Sequence, residues 1–308
     1  MKKVGIIYLL MLLVPLFWGG AFGAGKHVVT ELPPFTTAAI RFGMASVLLV
    51  IWLTVQKGWD WQLMRERWKG LLFVSVTGIF AYNAFFFLGL QYTSATNGSL
   101  VVSMNPMTTT LLAVLFLGEV WNRQIGFGMV LSLLGVLTVI SGGSLDVIRT
   151  LSFNVGDLIL IGAVLCFSTY GIVSKAVLKG VPSLLVTTVT MTIGSLLLFA
   201  VSLFEGGWGQ VPAISGQSWL ELVYMAVCAT VVAFVIWNMG IARLGPSKAS
   251  AYVNLVPINA MWISSVFYGE SLHLSQLVGV VLVIGGVVLT TRAPGKKTAP
   301  LPQKGAEV

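Results

Sequence analysis

Apolar runs of membrane-crossing length constrain this chain more than any other feature. A span needs about 20 apolar residues. Runs of that order, bounded by charges or turn residues, recur at roughly 5–25, 35–55, 70–90, 97–117, 124–142, 157–178, 183–204, 218–241, 247–267 and 275–292. The expected fold is therefore an all-α integral membrane protein with ten transmembrane helices. Composition agrees: 56% of the 308 residues are apolar and 9% charged, against about 25% charged in soluble domains. That is too little charge to coat a water-facing surface, which excludes a soluble enzyme, a disordered chain and a secreted disulfide scaffold. Cys166 and Cys228 both lie inside apolar runs and read as small packing residues.

The excess of cations, net +8, has to be read by position rather than as a nucleic-acid signal, and no nucleic-acid partner is expected. With ten spans, one side of the membrane carries Lys2, Lys3, Lys57, Arg65, Arg67, Lys69, Arg123, Lys175, Lys179, Arg243, Lys248, Arg292, Lys296, Lys297 and Lys304, and the other only Lys26 and Arg149. Cytoplasmic loops are enriched in Lys and Arg, so both termini are expected in the cytoplasm of a multi-pass protein of the cell (plasma or inner) membrane. Lys2 and Lys3 ahead of the first run, with Ala21-Phe22-Gly23 as a cleavage-like site, raise a signal peptide as an alternative. The run is long for a signal core, and the repeat described next needs it as a helix.

The second half slides over the first at an offset of 151, which pairs Trp68 with Trp219, Gly89 with Gly240, Ser99 with Ser250, Pro106 with Pro257, Gly118-Glu119 with Gly269-Glu270, and Gly135 with Gly286. Before residue 60 the offset is 149, pairing Lys26 with Lys175, Pro33 with Pro182 and Gly58-Trp59 with Gly207-Trp208. Each half holds five spans, an odd number, so the second half enters from the opposite face as an inverted repeat. The expected units are residues 5–142, residues 157–292 and a disordered cytoplasmic tail, 293–308. Substrate sites of such proteins lie near the midplane where helices are interrupted. Pro106 and Pro257 stand at mid-span, beside Asn105 and Asn254, and Pro15, followed by Trp18-Gly19-Gly20, interrupts the first span similarly. The alternative is that all three prolines are ordinary kinks shaping the bundle.

The stretch Pro15 to Lys26 (PLFWGGAFGAGK) with Arg41, and the twice-occurring pattern from Pro106 to Gly135 and from Pro257 to Gly286, resemble an EamA-type domain of the drug/metabolite transporter superfamily. The resemblance covers about residues 5–292. It implies ten helices in two inverted five-helix domains and the export or facilitated passage of small metabolites such as amino acids. It also implies a cavity surrounded by the first, third and fourth helices of each half, with the fifth and tenth peripheral and able to contact another subunit as a homodimer. The second copy departs from the opening motif, since Phe167-Ser168-Thr169-Tyr170-Gly171 replaces the Trp-Gly element.

Candidate substrate contacts are Trp18, Arg41, Tyr82, Asn83, Asn105, Tyr170, Trp237, Asn238, Tyr252 and Asn254. Aromatic rings with several amides suit a neutral or zwitterionic small molecule, although each ring alone reads equally as lipid-facing. Arg41 lies about six residues into its span, about 9 Å deep, where a planar fork would attract a substrate carboxylate. Snorkelling to headgroups, or pairing with Glu31, is the competing reading. No carboxylate lies at mid-membrane, which argues against a small cationic-drug pump. A proton-coupled multidrug or metabolite antiporter remains the alternative, through Glu119 or Glu270, though both are first read as structural turn residues. A membrane-embedded enzyme would need clustered His, Asp or Glu. His27 and His273 are far apart in sequence, with no acidic motif beside them, so no catalytic residue, metal or cofactor is expected. The partners expected are a small-molecule substrate and the lipid bilayer.

This topology predicts that Lys57→Cys and Gly209→Cys label from opposite sides of the membrane in intact cells. Equal accessibility of both from outside would contradict the inverted repeat.

Overall fold

A computed structural model describes residues 2–117, 123–145, 154–177, 179–244, 249 and 251–292. Every regular element among them is helical: α1 (Lys2–Glu31), α2 (Pro34–Val55), α3 (Trp61–Tyr92), α4 (Ala95–Val102 continued by Asn105–Leu117), α5 (Arg123–Ile140), α6 (Val155–Val177), α7 (Ser183–Ser202), α8 (Gly216–Leu244), α9 (a 3₁₀ turn, Ala251–Leu255, continued by Val256–Tyr268) and α10 (Leu274–Arg292). Seven of these helical stretches are long and apolar enough to cross a membrane: those in α1 to α4 and in α6 to α8. The protein is thus a multi-pass membrane protein. Its outward faces carry exposed Leu9, Val47, Ile51, Phe116, Phe127, Leu196, Phe267 and Val281, where a water-soluble protein of this size would place charge.

Local chemistry explains the helix limits. Side chains of Asp60, Ser94 and Ser215 accept from the backbone N–H of Leu63, Asn97 and Ser218, which caps α3, α4 and α8. Pro34 opens α2, where its missing donor and fixed φ cost nothing. Gly269 ends α9 at φ 65°, and the N–H of Glu270 reaches back to Ser264 O at 3.1 Å.

Pairing across the chain follows one rule. α2 lies along α7 and α5 along α10; α1 packs on α8 and α9, and α6 on α3 and α4. Raising every label by five, and counting on from α1 after α10, returns the same pairs. The rule reaches single residues. Ser46 Oγ and Ser195 Oγ, 149 apart in sequence, meet at 3.3 Å across α2 and α7. A π-helical stretch in α3 (Ser75–Ala81) is matched by one in α8 (Val227–Val232), again at the 151 offset.

The prolines divide into two kinds. Pro106 and Pro257 each sit in the first turn after an interruption, following Ser103-Met104 in α4 and the 3₁₀ turn in α9, so they begin new helical stretches. Ser103 Oγ donates to Leu100 O at the break, a side chain taking a backbone partner from the helix. Pro15 is different: α1 runs through it as one helix, which corrects the expectation of an interrupted first span. A lone Pro is tolerated within a span when the surrounding helices re-satisfy the backbone it frees.

α5 and α10 approach closely at glycines. A Cβ built on Gly286 would run into Gly128 O and Ser132, and one on Gly135 into Gly279 O and Val283. The glycines of these helices therefore serve a contact within the chain. Gly286→Ala is expected to lower the melting temperature in detergent by the equivalent of about 1–3 kcal/mol. Gly285→Ala, whose Cβ would meet only Leu131 at 3.5 Å, should leave it unchanged; equal effects would refute this packing.

Candidate functional site

The two π-helical stretches build the site. A π turn widens the helix and breaks the i to i+4 ladder, which frees backbone groups for other partners. In α8 one such partner comes from the other half of the chain, Trp18 Nε1 donating to Ala229 O at 2.9 Å, and beside it Arg41 Nε donates to the side chain of Thr230, at Oγ1, at 3.1 Å. Thr230 Oγ1 in turn donates to Met225 O. In α3, Asn83 Nδ2 donates to Ile79 O at 2.8 Å. The ring of Tyr170 lies over Gly78, where any Cβ would collide with it.

Between these stretches lies a cavity lined by Trp18, Ala21, Phe22, Arg41, Tyr82, Asn83, Phe86, Phe167 and Phe234. Its volume is about 20 Å³, room for a water molecule and little more. The rings close it: Trp18 sits 5.6 Å from Phe167, 5.4 Å from Phe234 and 5.2 Å from Trp237, and Tyr82 sits 4.9 Å from Phe167.

Arg41 is the one charge in this lining. It is 4% exposed, and its guanidinium carbon lies 4.8 Å from the Phe42 ring and 5.7 Å from that of Phe87. Among the described residues no carboxylate comes within 4 Å of it. Neither competing sequence reading fits. The side chain is too buried to snorkel, and Glu31 instead accepts from Ser215 N and Ser215 Oγ, both at 2.7 Å. One hydrogen bond and two ring contacts contribute about 1–3 kcal/mol, less than the several kcal/mol that desolvating an ion costs. The position is expensive for stability, and costly intramembrane charges mark functional sites.

The other expected residues fall in three groups. Trp18, Arg41, Tyr82 and Asn83 converge on the cavity. Tyr170, Asn238 and Trp237 are brought near it, but the first two are spent on each other: Tyr170 OH donates to Asn238 Oδ1 at 2.6 Å, and Asn238 Nδ2 to Thr187 Oγ1 at 2.8 Å. The Trp237 Nε1–H is buried with no partner among the described residues. Asn105 is buried beside Ser168, whose Oγ donates to Asn105 Oδ1 at 3.1 Å, and Tyr252 is half-buried on the 3₁₀ turn of α9; neither lines the cavity. The Asn254 side chain and Glu119 lie outside the described residues. Glu270 ties its turn to α4, by accepting from Thr96 Oγ1, rather than to the amides of the turn.

Phe22, Phe86, Phe167 and Phe234 line the cavity without having been singled out. Two had a signal in the repeat: Phe167 is the counterpart of Trp18 at the 149 offset, and Phe86 that of Trp237 at 151. His27 is also not isolated. Its Nδ1 lies 2.7 Å from Glu221 Oε2, and Tyr268 OH donates to Glu221 Oε1 at 2.9 Å, a cluster from three helices that linear spacing does not reveal.

With this arrangement in place, comparison with known proteins is decisive for the family. The model of the EamA-like transporter family matches residues 5–141 and again residues 154–292. The chain belongs to this family. Among its relatives, the uncharacterized transporter YyaM of Bacillus subtilis (strain 168) is 36% identical over 282 residues, covering 92% of each chain. An uncharacterized transporter of Archaeoglobus fulgidus is 28% identical over 284 residues, covering 92% of this chain and 96% of its own. A crystal structure of a protein 19% identical in sequence superposes with a TM-score of 0.68 over 92% of this chain and 97% of that one, a likeness of fold. As an EamA-like protein the chain is a membrane transporter, and the closed cavity at Arg41 is its candidate substrate site.

Proposed function

We propose that this EamA-like protein moves a small zwitterionic metabolite, an amino acid or a close relative, out of the cell, with Arg41 receiving the substrate carboxylate and the surrounding rings its apolar side chain. The buried guanidinium carries this reading. Among the described residues its one hydrogen-bonding side-chain partner is the neutral Thr230, so an incoming carboxylate would supply the missing counter-charge and a bidentate partner at once. Phe22, Phe86, Phe167 and Phe234 then select an apolar side chain, and Asn83 adds a polar group on the same wall.

Movement follows from symmetry. Ten helices in two inverted five-helix repeats account for the pairing rule, for the Ser46–Ser195 contact and for the matched π-helical stretches, and the loop charges favour both termini in the cytoplasm. In such a pair each half can adopt the conformation of the other, so a cavity closed at the midplane opens to one side and then to the other.

Arg41→Lys keeps the charge but loses the fork, and Arg41→Gln loses both. In proteoliposomes loaded with unlabelled L-leucine, L-phenylalanine or L-threonine, uptake of the labelled compound by counterflow should fall in Arg41→Lys. It should fall further, about tenfold or more, in Arg41→Gln at matched incorporation, since a charge-assisted bond is worth more than 1.4 kcal/mol. Wild-type rate and affinity in Arg41→Gln would remove Arg41 from the site.

A further inference from the structure

A second cavity, of about 290 Å³, lies beyond the closed one and is lined by Gly23, Lys26, His27, Thr30, Ala95, Ser264, Tyr268 and Glu270. It is near the lower end of the size range of small-molecule sites. The two cavities share α1: Trp18 and Phe22 line the closed one, and Lys26 and Thr30 continue the same i, i+4 stripe into the larger. At 1.5 Å per residue their centres are about 12 Å apart along the helix.

Its walls carry both charges of a zwitterion's complement. Lys26 Nζ donates to Leu90 O at 2.9 Å and Gln91 O at 3.4 Å, which uses two of its three donors. Glu270 accepts from Thr96 on one oxygen and lies within electrostatic reach of Lys26, yet the two form no ion pair within 4 Å. An independent sign comes from Ser264. Its side chain is 1% exposed, lines this cavity, and its Oγ has no hydrogen-bond partner among the described residues. A buried hydroxyl left unpaired at the wall of a cavity is what a bound polar group would satisfy.

We propose that this cavity is a second binding site for the transported zwitterion, an outer station on its path. The solute carboxylate meets the Lys26 ammonium, its ammonium meets Glu270, and Ser264 supplies a hydrogen bond. The cluster of His27, Glu221 and Tyr268 forms the adjoining wall and joins α1 to α8 and α9. The proposal rests on the zwitterion reading above, but its residues are distinct from those around Arg41.

The test uses the full chain in detergent with Cys166→Ala, Cys228→Ala and Thr30→Cys, Thr30 being exposed at the cavity rim, and follows the rate of maleimide labelling. L-Leucine, L-phenylalanine or L-threonine should slow labelling saturably, whereas 4-methylpentanoate and isoamylamine, each lacking one charge, should not. Glu270→Gln should weaken protection about tenfold or more, as loss of a charged partner implies. Ser264→Ala, which removes one atom and no partner, should weaken it less without affecting folding. Arg41→Gln should leave it intact. Protection that survives Glu270→Gln and Ser264→Ala but disappears in Arg41→Gln overturns the outer site and leaves the transport reading standing. So does absence of protection by amino acids that nevertheless cross proteoliposomes. If these amino acids neither protect nor cross, both proposals fall.

Discussion

A guanidinium buried among aromatic rings, with no carboxylate within 4 Å among the described residues, is the constraint around which the bundle is arranged. It occupies a place that apolar packing would fill more stably. What holds it is a departure from regular helix: the π-helical stretch of α8 presents Thr230 to Arg41 and the carbonyl of Ala229 to Trp18. In lipid the backbone has no water to fall back on. In α8 a side chain from the other half, Trp18, takes up a carbonyl of the widened turn. In α3 the partner is on the same helix, Asn83 bonding Ile79 O four residues back, and the ring of Tyr170 from the other half lies over Gly78.

Close glycine contacts recur through the bundle. α5 and α10 approach largely backbone to backbone, Gly286 against Gly128 and Ser132 and Gly135 against Gly279 and Val283. α1 bridges the two halves both closely at Gly19, against Asn259 and the backbone of Ala260 in α9, and through side chains, with Trp18 against Phe167 of α6 at the centre and His27 against Glu221 of α8 near the chain end of α1. If the proposed site is the route, the 20 Å³ between the rings has to enlarge to admit a metabolite.

Much of this was legible in the sequence because lipid simplifies the problem. A long apolar run has one common solution, a helix, and the break around Pro106 and Pro257 followed from the lost donor. The repeat offsets of 149 and 151 reappear as physical contacts, at Ser46 with Ser195 and between Ser132 Oγ and Val283 O. What could not be read was three-dimensional partnership. Tyr170 and Asn238 were sensible substrate contacts by type but satisfy each other. His27 looked solitary because Glu221 and Tyr268 are distant in sequence. Pro15 has no proline counterpart in the second half, where Val164 stands at the 149 offset, and α1 passes through it as one helix. Nor does any periodic pattern announce a π-helical stretch.

If Arg41 receives a carboxylate, the wild-type protein must discriminate against substrates that lack one. The direct measurement compares flux through proteoliposomes of L-leucine, L-phenylalanine and L-threonine with that of their carboxamides, which keep the side chain and the ammonium but lose the negative charge. Saturable flux of at least one amino acid, with its carboxamide neither carried nor competing, is the expected result. An amino acid and its carboxamide carried at equal rates and affinities would contradict the account.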